Sequence, residues 1–321
     1  MFANVMSAWS SFALPPWSNP AFFFPGSAPA TRHAGEFIPG RFETDYRTLQ
    51  YKLFVPSTYC GEPLPLVVML HGCGQSAADF ALGTGMNELA EEFQVLVLYP
   101  EQPSDVHWNK CWHWYDPAHH RRGEGEPALL AGLTRHIAAE YAVDTARIAV
   151  AGLSSGAAMA VIMGRTYPDL FSAVGCHSGL AHGSATDSVG AMLAMRDGAD
   201  PDLLAPAGLL PGVPTIVFHG DADATVHRHN SAGVVRQSVE SFAAHTPGGH
   251  AGLRILEETG ESGGRSFTRH IHAADSGAVL AEHWTVHGAG HAWSGGNLQG
   301  SYADMRGPNA SREMLRFFLN R

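Results

Sequence analysis

Positive charge is what this chain of 321 residues has least of, with 20 Lys and Arg against 30 Asp and Glu and a formal charge of −10. That balance repels phosphate backbones and anionic lipid heads, and no Lys/Arg cluster offsets it, so nucleic acid is not an expected partner. Charged residues of both signs reach only 16%, against roughly 25% in ordinary soluble chains. Long apolar runs are missing too. Stretches such as Leu64 to Leu70 fall far short of the roughly 20 residues that a helical membrane span needs. The first cation is Arg32 and the Ala-rich stretch Phe2 to Ala13 has no basic start, so the N-terminus does not read as a secretory signal and a cytoplasmic protein is expected. Four cysteines (Cys60, Cys73, Cys111 and Cys176) are too few for a disulfide scaffold. They allow three full pairings, among which spacing does not choose. The 19 histidines include no His-Glu-x-x-His and accompany no paired Cys-x-x-Cys, and the neighbours His119 and His120 would diverge on a regular element. A zinc site is not expected.

An apolar fraction of 45% marks a globular chain. Residues 1–40, with Trp9, Trp17, Phe22-Phe23-Phe24 and several prolines, carry no amphipathic period and read as an extended arm. Such an arm either straps onto the domain surface or reaches for an apolar polymer or partner subunit. Residues 41–321 read as one domain. Strands are expected at Leu49 to Val55, Leu66 to Leu70, Val95 to Tyr99, Arg147 to Ala151, Ala173 to Cys176, Thr215 to Phe218 and Glu282 to Val286. Helical stretches between them include Met86 to Glu92, Pro127 to Tyr141, Ala157 to Arg165, Ala232 to Ala244 and Ser311 to Leu319. Continuous apolar strands alternating with helices predict an α/β fold with a mostly parallel, doubly wound sheet covered by helices on both faces. Weakly periodic Ala181 to Pro211 is expected to be an insertion or lid.

The strongest motif is Gly152-Leu153-Ser154-Ser155-Gly156, directly between a strand and a helix. That setting suits a nucleophile elbow, in which flanking glycines permit a tight turn that lifts the serine hydroxyl above the sheet. Ser154 is therefore the candidate nucleophile. A serine needs an imidazole to take its proton and a carboxylate to orient that imidazole, in the chain order Ser, acid, His for this fold class. Asp223, in the turn after Thr215 to Phe218, is the preferred acid, with Asp221 as its rival and turn stabiliser. His291, in Gly288-Ala289-Gly290-His291-Ala292-Trp293, is the preferred base because glycines let its loop reach over the sheet. His287 sits at the strand end, and His227 and His229 follow the acid too closely. For the oxyanion, the backbone N–H groups of Ser155 and of Cys73, in the loop His71-Gly72-Cys73-Gly74-Gln75, are the expected donors. Trp108, Trp112, Trp114 and Tyr115, with Trp293, are candidate subsite walls, although loop aromatics also pack against one another as a local core. Gly123-Glu124-Gly125-Glu126-Pro127 reads as a helix start with acidic residues favouring the dipole, not as a phosphate loop.

Together His71-Gly72-Cys73-Gly74-Gln75-Ser76, Lys110-Cys111-Trp112-His113-Trp114, Gly152-Leu153-Ser154-Ser155-Gly156 and Gly290-His291-Ala292-Trp293 resemble the esterase family of poly(3-hydroxybutyrate) depolymerases, in particular its intracellular members. The resemblance spans about residues 41–321. It implies an α/β-hydrolase fold and hydrolysis of poly(3-hydroxybutyrate), or of related short-chain hydroxyalkanoate polyesters and oligomers, through an acyl-enzyme on Ser154 with Asp223 and His291, without cofactor. Association with polyester granules in the cytoplasm would follow. The resemblance also implies a Cys73–Cys111 disulfide, against which a reducing cytosol argues. The family's aromatic cluster usually reads Cys-Trp-Asn-Trp, and His113 here replaces the asparagine. Because feruloyl and acetylxylan esterases share the family, a carbohydrate esterase is the alternative; a noncatalytic granule-binding protein is another. Oligomeric state is not legible.

Overall fold

In the computed structural model, which describes residues 35–45, 47–206, 212–245 and 252–320, the apolar runs form the middle of one ten-stranded sheet. Its strands in chain order are β1 (Glu36–Glu43), β2 (Thr48–Val55), β3 (Leu64–Leu70), β4 (Leu96–Glu101), β5 (Val143–Leu153), β6 (Ala173–His177), β7 (Thr215–Gly220), β8 (Arg254–Ser262), β9 (Arg265–Ala273) and β10 (Val279–Val286). Side by side they run β1-β2-β4-β3-β5-β6-β7-β10-β9-β8. From β4 across to β10 the neighbours are parallel. On the flanks β1 and β2, and β9 and β8, pair antiparallel.

Parallel strands in mid-sheet are covered on both faces and therefore need no polar alternation. In β3, Leu66, Val68 and Leu70 pack to one side, in a core shared with α3 (Gly125–Glu140), α4 (Ser155–Thr166), α5 (Ser188–Asp197) and α6 (His229–His245). Val67 and Met69 pack to the other, with α1 (Ala77–Thr84), α2 (Met86–Phe93) and α7 (Ala310–Leu319). Local signals set the helix ends. Side-chain oxygens of Ser76, Asp187 and Asn309 accept the first-turn N–H groups of α1, α5 and α7, and Gly85 supplies the left-handed residue between α1 and α2.

From β3 the chain steps outward to β4 and then crosses back to β5 on the other side, so the crevice beyond the carboxyl ends of β3 and β5 is a topological switch point, where α/β sheets bind ligands. The expected arm boundary at residue 40 falls inside β1, which pairs along its whole length with β2; residues 1–34 lie outside the described residues. Within Ala181 to Pro211 the chain forms α5 and a short helical turn at Pro201–Leu203, and residues 207–211 lie outside the description.

Candidate active site

Ser154 sits where β5 turns into α4, with φ 56° and ψ −119°. A left-handed φ at a residue with a Cβ is strained, and the surroundings hold it there. The Ser154 N–H donates to the His177 carbonyl at 2.9 Å. Glycine is required on both sides, since a Cβ at Gly152 or at Gly156 would collide with the Leu70 carbonyl. The elbow is thus pressed against the end of β3, beside the loop that follows it. That contact is reinforced by the Ser155 hydroxyl, 3.3 Å from Sγ of Cys73.

Asp223 and His291 meet from the ends of β7 and β10, with Nδ1 of His291 2.7 Å from Oδ2 of Asp223. The Asp223 side chain is fully buried, and its Oδ1 accepts the N–H groups of Thr225 and Val226, both at 2.9 Å. Burial pushes this carboxyl up, but the His291 hydrogen bond and charge and the Val226 N–H outweigh it and hold the group at about 2. The ionised carboxylate fixes the Nδ1–H tautomer of His291 and leaves Nε2 as a proton acceptor.

The rivals pair with each other. Asp221 accepts from Nδ1 of His287 at 2.8 Å and from the Gly288 N–H at 2.6 Å. Nε2 of His287 lies 3.0 Å from the Thr268 hydroxyl, so both ring nitrogens are engaged and neither is left for a serine. This second pair braces the loop that carries His291.

Ser154 and His291 line one cavity of about 430 Å³, together with Gly72, Cys73, Trp114, Tyr115, Met192, Met195 and Tyr302. Cys73 is disulfide-bonded to Cys111, which ties the loop after β3 to the aromatic loop after β4. Among the described residues neither the Cys73 nor the Ser155 backbone N–H has a protein acceptor. Two free amides beside a serine are what a developing oxyanion requires.

Several expected wall residues stand elsewhere. Trp112 is fully buried and its indole N–H donates to the His71 carbonyl, so it supports the loop from behind. Trp293 is also in the core, stacked on the His177 ring and donating to the Ser311 hydroxyl at 3.0 Å. Trp108 is 84% exposed and stacks on His107, which does line the cavity. Trp114 and Tyr115 are the aromatic wall. Met192 and Met195 of α5 line the same cavity and bring the expected lid segment into the site.

Sequence reasoning missed His177. Besides holding the Ser154 N–H through its carbonyl, it accepts the Ser294 N–H on Nε2 at 3.0 Å, joining the nucleophile's turn to the loop after His291. Burial, helped by the nearby imidazoles of His219 and His291, pushes its ring down to about 3, so it stays neutral in that bond.

Residues 49–261 match the family described as Esterase PHB depolymerase. The chain belongs to this family. Among curated relatives, "Poly(3-hydroxyalkanoate) depolymerase C" of Paucimonas lemoignei is 32% identical over 261 residues, covering 78% of this chain and 60% of the relative. "Acetylxylan esterase A" of Talaromyces purpureogenus is 29% identical over 227 residues, covering 62% of this chain and 58% of the relative. This esterase-family chain therefore spans only about 60% of the first relative's length. A solved acetyl xylan esterase from Aspergillus awamori superposes with TM-score 0.61 at 19% identity, covering 85% of this chain and 94% of that one. That likeness shows the fold, α/β-hydrolase, as the family resemblance implies and in keeping with the doubly wound α/β sheet expected from the strand and helix pattern.

Proposed function

We propose that this chain is a serine carboxylic ester hydrolase acting on poly(3-hydroxybutyrate) or related short-chain hydroxyalkanoate polyesters and oligomers. The observation that carries the reading is the buried Asp223–His291 pair at 2.7 Å, with His291 and the strained Ser154 facing one cavity. Nε2 of His291 takes the Ser154 proton as Oγ adds to the ester carbonyl carbon. The charge that develops on the carbonyl oxygen falls to the Cys73 and Ser155 amides, a contribution of about 3 kcal/mol per donor. His291 returns the proton to the departing alkoxide, leaving an acyl group on Ser154, and then deprotonates the water that releases it. All proton transfers run through one imidazole, so no further cofactor is needed for these steps.

Polyester as substrate is supported by the family and by the Paucimonas relative, and by a wall of Trp114, Tyr115, Met192 and Met195 whose apolar side chains suit the methyl-bearing aliphatic repeats of such a polymer. The Talaromyces relative favours a second reading, acetyl ester on a carbohydrate. Purified protein is expected to clear an amorphous poly(3-hydroxybutyrate) emulsion and to hydrolyse p-nitrophenyl butyrate, and Ser154→Ala to lose both with an unchanged circular dichroism spectrum. Undiminished turnover in that variant would end the mechanism; hydrolysis of acetylxylan with no clearing of polymer would favour the second reading.

A further inference from the structure

Away from the catalytic serine, we infer that His113, His119 and Glu126 form a binding site for one divalent transition-metal ion, zinc being the best match to the donors. One ligand atom from each residue lies within 4.8 Å of the others. They come from three separate pieces of chain: the aromatic loop, the helical turn Pro117–His120 and the first turn of α3. Glu126 is 1% exposed, and its ionic partners among the described residues are these two imidazoles, with no Lys or Arg paired to it.

Nδ1 of His113 lies 2.8 Å from Oε1 of Glu126, while Nδ1 of His119 lies 3.4 Å from Oε2 and 3.1 Å from the His113 carbonyl, a contact it must release to bind an ion. A tetrahedral ion held at about 2.0–2.1 Å by nitrogen and oxygen places adjacent donors about 3.3 Å apart. The two observed separations run to different oxygens of Glu126, and the three ligand atoms lie within 4.8 Å of one another, so the carboxylate must turn one oxygen toward both rings, and the rings draw in, for three donors to share one coordination shell. Two imidazoles and a carboxylate are ligands zinc accepts, and the side chains of His113 and His119, 21% and 13% exposed, leave an open side for a water as fourth ligand.

An outer shell is also in place. The Gln102 amide donates to Oε1 of Glu126, and the His113 N–H donates to Oε2 at 2.9 Å, orienting the carboxylate. Arg47 holds Gln102 in turn at 3.0 Å. The next residue after His113 is Trp114, a wall of the cavity, so an ion here would clamp the aromatic loop to α3. This site stands apart from the ester-hydrolysis reading, because its donors are not those of the triad.

The test uses the untagged full-length chain, stripped with chelator and titrated with zinc chloride alone at pH 7.5 by calorimetry and thermal melting. One saturable equivalent and a melting temperature raised by several degrees are expected. His119→Asn and Glu126→Gln should each weaken binding by at least about tenfold, while His227→Asn, from a second close pair of imidazoles with rings 4.3 Å apart, should leave it intact. Should Glu126→Gln not fold, zinc-edge absorption on the parent and on His119→Asn reads the same point, as a drop from two coordinated imidazoles to one. Absence of a saturable equivalent, or unchanged affinity in His119→Asn, overturns the proposal. Neither result depends on whether the chain cleaves esters.

Discussion

Replacing Asp223 by asparagine tests the triad more sharply than removing the serine, because the geometry dictates which way the new amide must point. Oδ1 of Asp223 is pinned by the Thr225 and Val226 N–H groups, and Oδ2 faces Nδ1 of His291. An NH2 group cannot accept hydrogen bonds. The asparagine oxygen therefore stays on the two backbone donors, since flipping would strand them at a cost of about 1–3 kcal/mol each. Its NH2 then confronts Nδ1 of His291, which must give up its proton and accept. The ring proton moves to Nε2, the nitrogen that has to receive the serine proton. Loss of the working tautomer in a triad of this kind costs about 10⁴ in kcat, or about 5 kcal/mol of barrier. The assay is kcat and KM on p-nitrophenyl butyrate, with the melting temperature measured on the same preparation. Asp221→Asn is the control, since it disturbs only the His287 pair and keeps an oxygen for the Gly288 N–H; as a loosened brace and not a lost tautomer it should cost far less than about 10⁴ in kcat, on the order of tenfold or less. A folded Asp223→Asn enzyme within an order of magnitude of the parent, or an Asp221→Asn enzyme equally crippled, would refute the assignment.

Two further outcomes are expected. The Cys73–Cys111 bridge spans a sequence separation of 38, and loop-closure entropy for a ring of that size gives about 4 kcal/mol of stability. Cys111→Ser should lower the urea midpoint accordingly and, if the proposed role of the Cys73 amide at the oxyanion holds, reduce kcat; identical midpoints and rates in parent and variant would count against both. Acid stability should report the buried carboxylates, because Asp223 and Glu126 are held at about 2, below their ordinary 3.8 and 4.5. For Glu126 burial again pushes upward and is outweighed by hydrogen bonds from His113 and His119. Groups whose folded pKa is depressed stabilise the protein fully above the ordinary value, and that contribution is lost as pH falls through the folded one. Urea midpoints should therefore carry the full contribution of these groups, unchanged by them, between pH 7 and 5 and fall from about pH 4.5 towards 2, less steeply in Glu126→Gln; an identical slope in that variant would refute the account of Glu126.

What could be read from sequence was what local backbone physics forces. The elbow announced itself because only glycine fits at 152 and 156 against the Leu70 carbonyl, and a meeting of Asp223 with His291 could be expected because loops after parallel strands open on one edge. Between Asp223 and Asp221 the sequence offered only a turn argument; the contact that favours Asp223, the Thr268 hydroxyl on the second nitrogen of His287, joins residues that spacing cannot bring together. The aromatics failed for a related reason. An indole serves a core or a subsite equally well, and what buries Trp112 and Trp293 is an acceptor for each N–H, the His71 carbonyl and the Ser311 hydroxyl, both distant in sequence.

Elements without an apolar run were the ones overlooked. β8 is almost wholly exposed, so its side chains carry no burial pattern, yet Gly263-Gly264 between β8 and β9 has φ of 55° and 72°, the two-residue turn that joins antiparallel strands. A glycine pair of this kind is itself a hairpin signal. Weak periodicity likewise hid α5, where only Ala191 and Ala194 are buried while Met192 and Met195 line the cavity and Met192 stays largely exposed. A helix that faces a substrate cleft instead of a core has no reason to show a strong apolar stripe. The segments that periodicity reads least well are therefore the ones that shape the site, and the His113, His119 and Glu126 convergence follows the same logic, since ligands drawn from a loop, a helical turn and a helix start share no repeat that a sequence motif could capture.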